Sequence, residues 1–170
     1  MLARNETIFK WALYAGAALL CLLVQGGLCQ RIVLWGVIPF VYPMLAAIPA
    51  TFESPVAGTI FALCMGVVCD LLLPAPLPCF YTLILPLAGL CGSLLSQSLL
   101  PAGFLCSLAA SAAAFLLVDG FHGLLLWMTG RPAWSAVLWL MLREFLISAP
   151  LVIPVTLLLR AVFRKTHLDD

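Results

Sequence analysis

Apolar residues run along this chain in six long blocks separated by short polar or proline-containing breaks, at about 11–28, 32–50, 56–73, 80–95, 104–128 and 137–163. A helix needs about 20 apolar residues to cross a ~30 Å hydrocarbon core, so each block predicts a membrane-spanning helix. The expected fold class is an all-α integral membrane protein of six transmembrane helices, with residues 1–170 forming a single polytopic membrane domain. The third and fourth blocks are short, which favours tilt or partial re-entry. The last block contains Pro150 and Pro154. Each removes a backbone donor, which predicts a kink or a break into two half-helices.

Composition agrees with the pattern: 65% of the residues are hydrophobic and 9% are charged, and the mean hydropathy is +1.19. Those values exclude an ordinary soluble domain. The scarce basic residues then set an orientation. With six spans both termini share one side, where Arg4, Lys10, Arg160, Arg164 and Lys165 stand against Arg31 and Arg131 on the other. Basic residues favour the cytoplasm, so both termini are expected there. The loops at 51–55 and 96–103 hold no Lys or Arg and do not alter the count. Arg4 and Lys10 before an apolar stretch also resemble a secretory signal. Leu28, before Cys29, is too large for a lipoprotein cleavage site, and a retained signal-anchor helix is the simpler expectation.

The polar residues inside the blocks carry the candidate chemistry. Asp70 ends a ridge of Gly58, Ala62 and Gly66, each four residues from the next. Such small-xxx-small rows let helix backbones approach closely. An unpartnered carboxylate in hydrocarbon costs roughly 2.5–3.5 kcal/mol on insertion scales, so Asp70 is expected on a packed face. At 1.5 Å of rise per residue, Asp119, His122, Arg143 and Glu144 fall at a similar depth, in the outer half of the membrane. Arg143 is expected to pair with Asp70 or Asp119, making the five a structural ion-pair cluster. A ligand pocket or proton path is the sharper alternative. Further small-residue rows occur at Ala12 and Gly16, Ala46 and Ala50, Gly89 and Ser93, and along 107–114.

Of seven cysteines, only Cys29 and Cys79 fall near the predicted outer surface, where a disulfide is conceivable. No Cys or His spacing points to a metal site, and His122 and His167 fall on opposite sides of the membrane. No cofactor and no nucleic-acid partner are expected. No internal repeat of convincing length argues for an inverted-repeat transporter.

The segment from Val41 to Leu73 resembles the rod shape-determining protein MreD family. The residues that carry the likeness are Tyr42-Pro43, an apolar half-span with Pro49, Pro55 opening the next span, and Phe61-x4-Gly66-x3-Asp70-Leu71-Leu72. They cover about a fifth of the chain. The resemblance implies a helical fold similar to the substrate-binding subunits of energy-coupling-factor vitamin transporters. It also implies a non-catalytic role in the cell-elongation complex of the bacterial cytoplasmic membrane. The implied partners are a bitopic protein of the MreC kind and, through it, the wall-synthesising glycosyltransferase and transpeptidase. Only Gly66 and Asp70 carry over directly. Where many members continue into a glycine-containing loop ending Gly-x-His, this chain has Pro74-Ala75-Pro76-Leu77-Pro78-Cys79. Pro74, Pro76 and Pro78 make that loop stiff and extended, a fixed outer edge for a partner. A solute-binding subunit and an intramembrane enzyme are the other classes. The first would line an outer pocket with Asp70, Asp119, His122, Arg143 and Trp139, with few Asn, Gln, Ser or Thr residues beside them to orient a ligand, and the second lacks any Ser/His, paired-Asp or metal-ligand spacing.

Overall fold

The computed structural model describes residues 2–74, 77–130 and 134–166, with side chains from Thr7 onward. Pro76, Arg131 and His167 lie outside the described residues. Six α-helices account for most of the chain: α1 Leu2–Gly27, α2 Tyr42–Phe52, α3 Pro55–Leu72, α4 Phe80–Ser98, α5 Phe104–Met128 and α6 Trp134–Thr166, with a 3-10 turn at Cys29–Arg31. Among the described residues, five helices (all but α2) are long and apolar enough to cross a membrane.

The expected second span is corrected. Instead of one helix over 32–50, residues 32–41 form non-helical backbone and α2 has 11 residues, about 16 Å of rise. Local chemistry explains the break. Pro39 disfavours helical conformation at Ile38, and Pro43 sits in the first turn of α2, where its missing amide would have no partner within the helix. Leu34 and Val37 exchange two backbone hydrogen bonds of 2.9 Å around Trp35 and Gly36, whose φ angles are 52° and 77°. Positive φ at both central positions is the tight hairpin turn that matches strand twist.

Irregular backbone buried in a protein needs partners for its polar groups, and here two side chains supply them. The Gln25 amide donates to the Pro39 carbonyl at 2.7 Å and accepts from the Val41 N–H at 3.1 Å. The Ser148 hydroxyl accepts from the Phe40 N–H at 2.8 Å. Gln25 is 3% exposed and Ser148 is fully buried.

α2 forms the centre of the bundle. All of its residues except Phe52 are buried, and α3, α4, α5 and α6 pack around it. Its Met44, Leu45 and Ile48 join Leu85, Phe115 and Val152 in the main core. A helix apolar on every side belongs in such a position. α6 is not divided into two half-helices: it continues as one helix past Pro150 and Pro154.

Side-chain contacts fix the direction of each element. Lys10 and Tyr14 reach Glu53 after α2, Ser96 reaches the Thr51 carbonyl, and Phe163 meets Phe52 at 5.9 Å between ring centres. The start of α1, the α2–α3 turn, and the ends of α4 and α6 therefore share one end of the bundle, called here the near end. Asp70 meets the first turn of α4 at the far end. Charged residues mark two levels: 17 residues separate Glu53 from Asp70 and 16 separate Glu144 from Arg160. Both separations correspond to about 25 Å of helix, against ~30 Å for a hydrocarbon core.

Candidate functional site

The ridge on α3 and the carboxylate above it hold α3 in close contact with α2 and α4. A Cβ added to Gly58 would lie 2.6 Å from the Ala50 Cα, and one added to Gly66 would lie 2.7 Å from both the Thr82 Cα and the Tyr81 carbonyl oxygen. Between them, Ala62 faces Gly89, whose own added Cβ would meet the Ala62 methyl at 2.8 Å. Gly58 thus seats α2, while Ala62 and Gly66 seat α4. The row is internal: the chain's own α2 and α4 cover it, so its close packing is between helices of this chain.

Asp70 follows one turn above Gly66, and the contact delivers its carboxylate to the N-terminus of α4. Oδ1 accepts from the Tyr81 N–H at 2.9 Å, and Oδ2 accepts from the Thr82 N–H at 2.8 Å and from the Thr82 hydroxyl. Tyr81 and Thr82 are the second and third residues of α4, whose N-terminal amides have no partner within the helix. The residue at the cap position, Cys79, makes no side-chain cap and holds a left-handed φ of 60°. Asp70 supplies from α3 what a Ser or Asp at the cap would supply locally, and its negative charge sits at the positive end of the helix dipole.

The expected Asp70–Arg143 pair is therefore corrected. Arg143 is exposed, and its Cζ lies 5.8 Å from the centre of the Trp139 ring. Asp70→Asn should cost about 1–2 kcal/mol, because an amide group offers one acceptor oxygen where two carboxylate oxygens now share three donors. Thermal unfolding in detergent would show the loss, with faster hydrogen exchange at the Tyr81 and Thr82 amides. Adding Arg143→Leu should recover none of it, and recovery would reinstate the ion pair.

The remaining members of the expected cluster divide. Asp119, His122 and Glu144 line one cavity of about 260 Å³ with Tyr81, Phe40 and Val118, between the start of α4 and the α5–α6 pair. The His122 ring stands edge-on to Phe80 at 6.3 Å between centres. One Asp119 oxygen, Oδ2, is buried with no hydrogen-bond partner among the described residues. Among the described residues, no group of three or more His, Cys, Asp or Glu could hold a metal ion.

No protein-family model, curated protein or solved structure matches this chain. Pro74 and Pro78 are exposed at the far end, beside an exposed Cys79. Cys29 is buried, and both cysteines are free thiols.

Sequence reasoning passed over the polar site at the near end. Glu53 accepts from Lys10 Nζ at 2.6 Å and from the Tyr14 hydroxyl at 2.9 Å, and its side chain is 5% exposed. Trp11, Tyr14 and Phe61 stack around this site at 5.8–6.2 Å between ring centres. Its sequence signal was an acid directly before the Ser54-Pro55 helix start, opposite a lone Lys in the first amphipathic turns of α1.

Proposed function

We propose that this chain is a non-catalytic membrane scaffold of the bacterial cell-elongation complex, with six helices in the cytoplasmic membrane and both termini in the cytoplasm. The observation that carries the reading is the engagement of Asp70. The residue central to the MreD-like segment binds three donors at the start of α4, a role in architecture that leaves it no proton to transfer. The far-end position of Pro74 and Pro78 and the near-end position of the start of α1 and the end of α6 support the orientation, together with the excess of basic residues at the near end.

Because the α3 ridge is covered, this reading assigns partner docking to α1. Ala12 and Gly16 are exposed there, and an added Cβ at Gly16 would meet nothing within 4 Å. Beside them an apolar trough of about 540 Å³ runs between α1 and α3, lined by Ala15, Leu19, Ile60, Cys64 and Val68. A single transmembrane helix from an MreC-like partner suits a trough edged by small residues, since helices in lipid attract mainly through close packing. The glycosyltransferase and transpeptidase would be reached through that partner.

A photo-crosslinker at Gly16 in native membranes should capture a single-span protein, whereas one at Leu157, on the exposed face of α6, should not. Loss of the chain should round the cells. Normal cell shape without it, or no adduct at Gly16, would overturn the scaffold. Topology is tested separately. Cys79 should react with a membrane-impermeant maleimide added outside cells, while a reporter fused after Thr166 should be active only in the cytoplasm.

One observation favours a second reading, a solute-binding subunit of a vitamin transporter. The Asp119–His122–Glu144 cavity is large enough for a small polar group. Purification of the chain with a stoichiometric bound metabolite would move the assignment there.

A further inference from the structure

Arg143 is a basic side chain that the bundle leaves unused. Among the described residues its guanidinium makes neither a hydrogen bond nor an ion pair, and its contact is the Trp139 ring. Its sequence neighbour Glu144 faces the other way, into the cavity with Asp119. Arg143, Trp139, Leu142 and Leu146 form one stripe along α6 and, with Trp35 from the hairpin turn, line an open groove of about 500 Å³. Trp35 and Trp139 are 73% and 62% exposed, so neither serves the core.

We propose that this groove is a binding site for an anionic phospholipid of the far leaflet, with Arg143 on the phosphate, the two tryptophans flanking the headgroup and Leu142 and Leu146 against the acyl chains. The order of residues matches the order of layers in a bilayer. α6 runs from the far end inward, so Trp139 is outermost, Arg143 lies one turn deeper and Leu146 lies deepest. Helical side chains lean toward the helix N-terminus, which carries the Arg143 guanidinium outward to the headgroup level, as long basic side chains do near span ends. Seventeen residues, about 25 Å of helix, separate Arg143 from Arg160 at the near level. Tryptophan concentrates at the same depth in membranes.

Charge favours the same occupant. An arginine facing lipid without a carboxylate needs an anion, and its planar fork fits two phosphate oxygens. A zwitterionic lipid also offers a phosphate, but its ammonium group cancels the net attraction. The inference does not depend on the scaffold reading.

The test uses the full chain, delipidated in detergent and titrated with dioleoyl phosphatidylglycerol or dioleoyl phosphatidylcholine, with bound lipids counted by native mass spectrometry. The first phosphatidylglycerol should be retained at about fivefold lower concentration than phosphatidylcholine, the factor expected for one basic residue at a membrane surface. Arg143→Gln should abolish that preference, Arg143→Lys should keep part of it, and Arg160→Gln should leave it unchanged. Glycerol phosphate, which lacks acyl chains, should fail to displace the lipid. Equal retention of the two lipids by the native chain would overturn the site without recourse to any variant. So would a preference that survives Arg143→Gln or disappears in Arg160→Gln, and displacement by glycerol phosphate would identify a soluble anion as the ligand.

Discussion

Gly66→Ala should destabilise the bundle by about 3 kcal/mol, the upper range for forcing one extra carbon into a packed core, although alanine favours helix over glycine by about 1 kcal/mol. The new methyl would stand 2.7 Å from the Thr82 Cα and from the Tyr81 carbonyl oxygen. Both obstacles are backbone, so no side-chain rotation relieves the clash and α4 must move as a body. That movement would also draw the Tyr81 and Thr82 amides away from Asp70. Gly16→Ala is the matched control, since its methyl would enter open space and should gain slightly from helix propensity. Thermal unfolding in a mild detergent, read by circular dichroism, should place the two variants on opposite sides of the native chain. Equal behaviour would mean that α3 and α4 are not in this contact.

Glu53→Leu should be the second severe change, at about 3 kcal/mol, because it leaves Lys10 and the Tyr14 hydroxyl facing a protein interior without an acceptor. The Lys10 side chain is 20% exposed and that of Glu53 5%, so water can compensate the lysine only in part. Lys10→Met alone strands the carboxylate, still held by Tyr14, and should cost less than Glu53→Leu. The double variant should recover much of the single losses, as removal of both charges of a buried pair often does. A double variant whose loss equals the sum of the singles would show that the two side chains act independently.

The parts of this fold that were legible in the sequence are those fixed by long apolar runs. The blocks at 56–73, 80–95, 104–128 and 137–163 became α3 to α6 with small changes at the ends, because a run of that length has few other ways to satisfy its backbone in lipid. The block at 32–50 failed for the converse reason. Hydropathy registers that Ile32, Val33, Val37 and Ile38 are apolar and is blind to whether they are helical. The informative residues there were Pro39, Pro43 and the Trp35-Gly36 pair, all weaker signals than 19 consecutive mostly apolar residues. Gln25, two residues from the end of α1, was the acceptor and donor that made the irregular segment tolerable.

At the candidate site, the Gly58–Ala62–Gly66 ridge and the packed position of Asp70 were readable from spacing. The partner of Asp70 was not, because charge counting looks for an opposite charge and the partners were two backbone amides and a hydroxyl. The same habit of counting Lys and Arg in the 51–55 loop passed over Glu53. Depth grouped Asp119, His122, Arg143 and Glu144, of which Asp119, His122 and Glu144 line one cavity. It could not assign helix faces across α5 and α6, and Arg143 turned out to face away from the acids.

The central position of α2 sets an order of events during synthesis. A helix of 11 residues cannot be held in a bilayer by length alone, and the walls that enclose it, α4, α5 and α6, are made after it. The Phe40 amide waits for a hydroxyl 108 residues further along the chain. While the ribosome is still translating α5, residues 32–52 must therefore remain at the translocation channel or the membrane surface, and the late helices close around them as a clasp. A chain stopped after Ser98 would present that segment with one flank bare, which makes it a natural substrate for membrane quality-control proteases.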